Sequence, residues 1–430
     1  MLATASNLLL ILFVVLVAFL FFGAIPGIGA FTVRARWRRF RSRMLESSLR
    51  PFVQYKDLSR LAGALPDDGS LGSFRAFGAM EAMQGTHRIW INTGRFTVGV
   101  DLEGVRVYLL PSFSVLPSAS VVERLEQSAP EEEPSVVPWG RIYSLPAGTQ
   151  VFVDGSLFLE DGQAVFRARA RDPLLVVIYD GSQRTLLQRA VWSGRQKNEY
   201  WNQFTLASLL TGAFLLALLA YLFLRVRGSG LPALVSLSLA AFPVVALLPP
   251  GVLMYLLYRH FWKRARLLRA ERDMLRLPLR HFGPADPALP PVPEADPAAG
   301  GGEGASAGGE LREASIRLPT GERYIRTREY RWLIDGPLVI RGSGFFESVE
   351  RKPQPFWLFG AVDEAAAAPT LRMPQDPMAE LVLVAGDPEN LAKACSRKAR
   401  TYELLSAGLF FVAVTLNLFL LLTLWHLVIR

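Results

Sequence analysis

The sequence predicts a polytopic membrane protein with four transmembrane α-helices and two β-rich (α+β) membrane-proximal cytoplasmic modules. Three features predict this class: four long apolar segments, basic clusters beside those segments, and short apolar runs in the hydrophilic regions between them. Of the 430 residues 51% are hydrophobic and 20% are charged, a balance too apolar for a soluble basic protein. The net charge of +9 suits nucleic acid or an anionic membrane surface, so the placement of the basic residues has to decide between them.

Four segments have the roughly twenty apolar residues that a helix needs to cross a bilayer. They cover residues 7–24, 204–224, 231–258 and 404–429, and none has an acidic or basic residue in its interior. Buried helices of a large globular protein are the alternative for all four. A cleavable signal peptide is the alternative for the first, but its basic residues follow the apolar part instead of preceding it. We therefore expect a retained anchor.

The basic residues predict which way the segments cross. The run "RARWRRFRSR" at 34–43 follows the first segment, and other basic clusters precede the second, follow the third and precede the fourth. With the N-terminus outside, all four clusters lie in the cytoplasm, as the positive-inside rule requires. Only Arg225 and Arg227 fall on the opposite side. The sequence thus predicts a multi-pass protein of the inner (plasma) membrane whose hydrophilic regions are cytoplasmic.

These observations divide the chain into eight parts. In chain order we expect an anchor at 1–26, a first β-rich domain at 27–202, a second transmembrane helix at 203–225, a third at 231–258, a basic amphipathic helix at 259–282, a disordered linker at 283–310, a second β-rich domain at 311–403 and a fourth transmembrane helix at 404–429. The linker is rich in Pro, Gly and Ala, a composition that cannot bury a core.

Two basic segments are predicted to contact anionic lipid headgroups. Pro249 and Pro250 interrupt the third apolar segment, and a proline suits the first turn of a new helix. Beyond them, either a helix lies on the membrane surface or one long kinked helix extends into the cytoplasm. A docking surface for a protein is the alternative role for the first run, and nucleic acid is not expected as a partner. The predicted lipid-interface residues are Arg34, Arg36, Trp37, Arg38, Arg39, Arg259, Lys263, Arg264, Arg266 and Arg269.

Short β-like runs fill the first hydrophilic region. The runs at 87–91, 95–101 and 105–110 succeed each other with turn residues between them, the pattern of a meander. Asp161-Gly162 marks a hairpin, residues 173–181 form a buried type of strand, and 182–203 are predicted as a helix leading into the second span. The acidic stretch near residue 131 is predicted as an exposed loop.

The second region repeats this order. Strands are expected at 336–350 and 354–364, then a loop with Asp376-Pro377, a strand at 379–387, and a helix from Pro388 into the fourth span. The first region has the same sequence of parts around Asp172-Pro173, and forty residues separate Gly155 from Arg195 as they separate Gly360 from Arg400. We therefore expect a degenerate internal duplication.

The segment "FWLFGAVDEAAAAPTLRMPQDPMAELVLVAGDPENLAKACSRKARTYELL" resembles the end of the membrane-adjacent β domain of the GIDE family. Its members include membrane-anchored ubiquitin ligases of mitochondria and many bacterial proteins. The region "GTQVFVDGSLFLEDGQAVFRARARDPLLVVIYDGSQRTLLQ" is similar in outline, so the likeness covers about fifty residues of each module. The ligases need a RING built from several Cys and His residues, and this chain has Cys395 alone. The resemblance therefore implies a β scaffold without ligase activity.

The chain offers few residues for chemistry. His87, His260, His281 and His426 are scattered, and none has metal-ligand spacing to another histidine. Asp154, Asp161 and Asp180 each precede glycine, which a turn explains. Asn198–Asn202 are predicted as an interfacial belt or a contact between modules. No catalytic, cofactor or metal residue is assigned, and we expect a scaffold that binds anionic lipids and a protein partner. A regulatory subunit, or an enzyme or transport component with a site between the modules, is the alternative.

Overall fold

A computed structural model describes residues 2–55, 58, 69–111, 132–142, 144–226, 230–245, 249–283, 313–342 and 356–429. The chain divides into two compact units. The first contains residues 1–42, 196–268 and 397–430, and the second contains 43–195 and 269–396. Most of the expected linker at 283–310 lies outside the described residues, as do residues 128–131 of the acidic stretch. The exposed loop expected for that stretch is wrong for Ser135–Pro138, which form a strand.

The first unit is helical. Its helices, some of which continue into the second unit, are α1 (Leu2–Phe19), α2 (Ile25–Ser47), α4 (Thr205–Arg225), α5 (Gly230–Ala240), α6 (Phe242–Val245), α7 (Pro249–Arg280) and α8 (Pro388–Ile429); α3 (Leu186–Trp192) belongs to the second unit. Three helical segments are long and apolar enough to cross a membrane: 5–47, 205–225 and 388–423. Within the described residues the layout is thus membrane-like, with three such helical segments, and the expected span at 231–258 is not among them.

The third expected span falls on three helices, of which the first two are short. Helix α5 has 11 residues and α6 has 4, and α7 begins at Pro249. Pro249 and Pro250 lie in the first turn of α7, where the missing N–H groups would have no helical partner in any case. The apolar residues after Pro250 and the basic segment form one helix, because α7 continues without a break from Pro249 to Arg280.

A π-helical turn at Leu20–Ala24 joins α1 to α2 and frees backbone carbonyl groups. Pro26 has no N–H to give to the carbonyl of Phe22, and the Tyr200 hydroxyl donates to that oxygen instead, at 2.8 Å. The Ser208 hydroxyl donates to Phe21 O at 2.5 Å, and the Asn202 amide donates to Pro26 O at 3.0 Å. Two residues of the expected belt at 198–202, Tyr200 and Asn202, therefore supply hydrogen-bond donors to the backbone where α1 meets α2.

The first β module has eight strands: β1 (Ser70–Gln84), β2 (Arg88–Asn92), β3 (Thr97–Asp101), β4 (Arg106–Leu109), β5 (Ser135–Pro138), β6 (Gln150–Glu160), β7 (Gln163–Arg167) and β8 (Leu175–Tyr179). The pairings β1–β2, β2–β3, β3–β7, β7–β6 and β6–β1 return to their start, so these five strands form a closed ring. Strand β8 pairs with β6, and β4 and β5 follow it outward. The core inside includes Ile89, Val100, Val153 and Phe166.

Two local expectations hold in this module and two are wrong. The hairpin at Asp161-Gly162 is confirmed, with φ of 50° and 78° at the two turn residues. Strands β2 and β3 also pair as expected. The meander does not extend to β4, which pairs with β5 and runs parallel to β8. The helix after β8 ends at Trp192, because the chain turns at Gly194 with φ of 65°.

The second module contains β9 (Glu313–Arg317), β10 (Arg323–Thr327), β11 (Leu333–Asp335), β12 (Val339–Arg341), β13 (Phe356–Asp363), β14 (Thr370–Arg372) and β15 (Val382–Ala385). Strand β13 is central and pairs with β10, β14 and β15. The small core around it is formed by Ile325, Leu358, Leu371 and Leu381. Helix α8 follows β15 and continues into the last apolar segment, as expected.

The two modules share one topology. The antiparallel pairings β1–β6, β6–β7 and β6–β8 correspond to β10–β13, β13–β14 and β13–β15. The parallel pairings β3–β7 and β4–β8 correspond to β11–β14 and β12–β15. A basic helix precedes each module, and a Leu-Arg-x-Phe segment, at 49–52 and 279–282, lies where that helix ends or just after it. Phe52 packs on Phe77, and Phe282 packs on Tyr324 and Phe359. These matches support the expected duplication and extend it toward the N-terminus of each copy.

Candidate functional site

The most distinctive site in the second unit is a buried ion pair between the two modules. Arg75 lies on β1 and Asp376 lies in the loop between β14 and β15, and both side chains are fully buried. The guanidinium of Arg75 donates to Asp376 Oδ2 and, through Nε, to Arg50 O at 2.8 Å. Asp376 Oδ1 accepts the N–H of Met378 at 2.9 Å. Each charge therefore has both a counter-ion and a backbone partner, as a buried charge requires.

The corresponding loop of the first module has its own arginine. Arg50 donates to both oxygens of Asp172, at 2.9 and 3.3 Å, and the hydroxyls of Ser73 and Ser156 donate at 2.8 and 3.1 Å. Burial opposes ionisation of Asp172, but these hydrogen bonds and the charge of Arg50 lower its pKa. The two Asp-Pro loops, recognised in the sequence as matching turns, thus hold matching ion pairs. Asp172 is bound within its own module and Asp376 by the other one.

Asp154 is buried beside this pair and is poorly compensated. It lies opposite Arg75 in the β1–β6 ladder, with 2% of its side chain exposed. Arg50 Nη1 approaches its Oδ1 at 3.2 Å and Arg43 approaches Oδ2 at 3.9 Å. Burial raises the pKa of Asp154 to about 6, although both arginines oppose the shift. The turn explanation given to Asp154-Gly155 is wrong, because both residues lie inside β6; it holds for Asp161.

Ionisable groups of the second module continue the cluster. Burial lowers the pKa of His281 to about 4, against the attraction of Asp376 and with the help of Arg75. His281 packs edge-on against Tyr324, whose hydroxyl donates to Glu380 O at 2.8 Å. Arg341 binds Glu380 at 2.8 and 3.0 Å, and burial raises the pKa of the nearby Glu271. We call this set of buried and half-buried groups the charged seam. Its members are Arg50, Arg75, Asp154, Asp172, Glu271, His281, Tyr324, Arg341, Asp376 and Glu380.

Four buried polar atoms of the charged seam make no hydrogen bond to the described residues: Arg75 Nη1, Asp154 Oδ1, His281 Nε2 and Arg341 Nε. Of these, Asp154 Oδ1 has the charge of Arg50 at 3.2 Å. Such atoms are rare in protein interiors unless a water molecule or a ligand reaches them. Nε2 of neutral His281 can accept a hydrogen bond there, and Arg75 Nη1 can donate one.

The ten predicted lipid-interface residues do not share one environment. Arg36, Arg38, Arg39 and Arg259 are exposed, whereas Arg34, Lys263, Arg264 and Arg269 are half-buried. Trp37 is 5% exposed and Arg266 is 7% exposed. Arg266 binds Glu199 at 2.5 Å and stacks on Trp262 at 4.3 Å, so its charge is satisfied by protein. The apolar side of the basic helix is also covered, because Leu267, Leu268, Met274 and Leu275 are buried.

One group among the described residues has ligand atoms close enough to hold a metal ion. His87, Asp101 and Glu103 offer one atom each, within 4.8 Å of one another. The β2–β3 hairpin brings these residues together, although the sequence has no two histidines at metal-ligand spacing. Both oxygens of Asp101 are already used, by the N–H of Glu103 at 3.2 Å and by Arg167 at 3.3 Å. We therefore assign no metal to this group.

No family model, no curated protein and no solved structure matches this chain. Its class accordingly rests on the fold and the seam: helices apolar enough for a membrane, with two β modules of one topology joined by a buried ion pair. The resemblance to the GIDE family stays an expectation from the sequence.

The pH dependence of stability tests the charged seam. Asp154 holds its proton more tightly in the folded chain, so its contribution is full below pH 3.8 and is lost as the pH rises through about 6. His281 holds its proton less tightly, so its contribution is full above pH 6.5 and is lost as the pH falls through about 4. The two trends oppose each other in the same window.

We expect Asp154→Asn to make the chain lose about 3 kcal/mol more stability than the wild type on acidification through that window, and His281→Gln to lose about 3 kcal/mol less. Urea unfolding of the full chain in detergent at several pH values measures both. His87→Gln, at an exposed position, serves as the matched control. If the free energy of unfolding changed with pH in the same way for the wild type and the three variants, this account of the charged seam would be contradicted.

Proposed function

We propose that this chain is a multi-pass protein of the inner membrane that acts as a non-enzymatic scaffold. Its two β modules lie in the cytoplasm beside the membrane and together bind a protein partner. The observation that carries this proposal is the Arg75–Asp376 ion pair, which joins the modules through buried charges. Most ionisable side chains of the charged seam form ion pairs with one another. Such pairing is typical of a structural contact between two modules and less so of a reaction centre.

Sidedness rests on the basic residues. Positive charges beside a membrane span resist translocation, and each expected inner flank has a cluster of them. The shared topology adds a second argument. Two modules of one topology, each preceded by a basic helix, face the membrane in the same way when an even number of spans lies between them. Four spans in total, with residues 231–258 crossing as a broken third span, satisfy this condition.

Reporter fusions test the sidedness. Alkaline phosphatase inserted at residue 120 or at residue 350 should be inactive, and a green fluorescent protein at the same positions should be fluorescent, because phosphatase matures only outside the cytoplasm. A fusion after Arg227, in the short external turn, is the matched control and should show the reverse. Active phosphatase at either module would exclude the cytoplasmic placement.

Anionic lipids are the second proposed partner. Arg36, Arg38 and Arg39 lie on α2, are exposed, and have no acidic partner within the described part of the chain. Each such charge near an anionic surface contributes about 1 kcal/mol to its attraction. Arg259 is exposed on α7 and extends this basic surface, whereas Arg266 is excluded from it by its burial.

Replacing Arg36, Arg38 and Arg39 together by Gln should lower the affinity for phosphatidylglycerol about tenfold or more. Native mass spectrometry of the full chain, titrated with this lipid in detergent, measures the change. A triple Gln variant at Arg95, Arg106 and Arg171, which are exposed on the first module, is the control and should bind as the wild type does. Equal losses of lipid affinity in both triple variants would contradict a specific role of α2 in lipid binding.

Affinity purification tests the scaffold itself. A partner should co-purify with the wild type from membranes and be lost in Asp376→Leu, where Arg75 stays buried without a counter-ion. The double variant Arg75→Met/Asp376→Leu restores neutrality and should recover the partner. Retention in the single variant, or wild type that purifies alone, would contradict a scaffold whose binding surface depends on the joint.

The unpaired atoms of the seam favour one second candidate, an enzyme or transport component whose site forms between the modules. Purified wild type that retains a metal, a nucleotide or a small metabolite would support it. A regulatory subunit of a larger complex differs from a free-standing scaffold in stoichiometry, which the same purification measures.

A further inference from the structure

The duplicated topology shows which strand edge of the second module is left open. In the first module β3 pairs with β7 on one side and with β2 on the other, and β2 thereby closes the ring. In the second module the corresponding strand β11 pairs with β14 on one side. Within residues 313–342 and 356–429 no strand pairs with its other edge. Among the described residues, no strand takes beside β11 the position that β2 takes beside β3.

The open edge is apolar and exposed. Leu333 is 59% exposed and Ile334 is 42% exposed, unusual values for such residues on a strand. The N–H of Leu333 donates to Pro369 O at 2.9 Å, toward β14. Because backbone groups alternate along a strand, the N–H and C=O of Ile334 face the open side. An exposed edge of this kind is a template for another strand.

We propose that β11 pairs with β11 of a second copy of this chain. The order of residues 331–335, Arg-Trp-Leu-Ile-Asp, is complementary to itself when reversed. An antiparallel pair centred on Leu333 places Arg331 opposite Asp335 of the other copy, Trp332 opposite Ile334, and Leu333 opposite Leu333. Both ends of the pair then join opposite charges, and its middle joins apolar side chains.

Symmetry favours a second copy over an unrelated strand. A two-fold axis makes the same strand on two subunits antiparallel, which is the orientation of β2 on β3. Centring the pair on Ile334 instead would set Leu333 against Asp335, so the charges select one register. Arg331 already binds Glu313 at 2.9 Å and Glu329 at 2.7 Å, with its side chain 59% exposed. Such surface pairs are weak, so Arg331 can exchange partners at little cost.

Cysteine crosslinking in membranes tests this dimer and its register. Leu333 faces its own copy in a non-hydrogen-bonded position, where Cα atoms lie about 4.5 Å apart. The Leu333→Cys variant should therefore give a disulfide-linked dimer under mild oxidation, because disulfides span about 4.4 to 6.8 Å between Cα atoms. In Ile334→Cys the two cysteines are about 8–9 Å apart. This matched variant should crosslink far less.

Wild type supplies the background, since its one cysteine, Cys395, is buried. Adding Asp335→Arg to Leu333→Cys opposes two arginines at each end and should reduce the dimer about threefold or more. A dimer from Leu333→Cys alone, weakened by Asp335→Arg, supports the proposal. No dimer would show that another segment or another protein covers the edge. Equal crosslinking at both positions, or crosslinking at 334 alone, would reject the interface or its register.

Discussion

The second unit depends on keeping one buried charge paired with another. Taking a guanidinium and a carboxylate out of water costs several kcal/mol per ion. The attraction between Arg75 and Asp376 offsets that cost only while the two side chains remain in contact. The requirement is geometric, because it is met only when the loop after β14 lies against β1. Hydrophobic contact alone would tolerate sliding of one module over the other, but a buried ion pair does not. The neighbouring groups follow from this placement, since the same burial that isolates the pair also shifts the pKa values of Asp154 and His281 in opposite directions.

The first unit obeys a related constraint on backbone groups. A proline and a π-helical turn leave carbonyl oxygens without helical partners, and apolar surroundings offer no water to replace them. Tyr200, Asn202 and Ser208 supply the donors, and Gly212 leaves room for Phe21 and Phe22, which a Cβ there would approach to 2.6 and 2.8 Å. In both units, polar groups removed from water fix the packing more strictly than the apolar residues around them.

Local patterns in the sequence predicted the elements and not their partners. Apolar runs of sufficient length identified three of the long helices, and Asp161-Gly162 identified its hairpin, because both depend on neighbouring residues. The pairing of β4 with β8 depends on residues about seventy positions apart, so adjacency in sequence suggested a meander that does not form. Burial was equally hidden: Asp154 precedes a glycine as turn residues do, and Trp37 stands among arginines as interfacial residues do, yet both are inside. The matching Asp-Pro loops were visible in the sequence, whereas the arginine that reaches Asp376 comes from the other module and could not be.

The duplication explains why the two modules differ where they do. One plan, used twice, would leave each copy with the same edges and the same loop charges. In the first copy β2 closes the ring, and Arg50 of the same copy binds Asp172. In the described part of the second copy no strand closes the ring at β11, and the loop aspartate is bound by an arginine of the first copy. The second module is oriented by the first, because Arg75 of the first module binds the loop residue Asp376 of the second. The edge of β11 therefore has a defined position. The asymmetry thus converts two similar modules into a joined pair with one closed member and one open member, and an open edge held in a fixed place is what a binding surface requires.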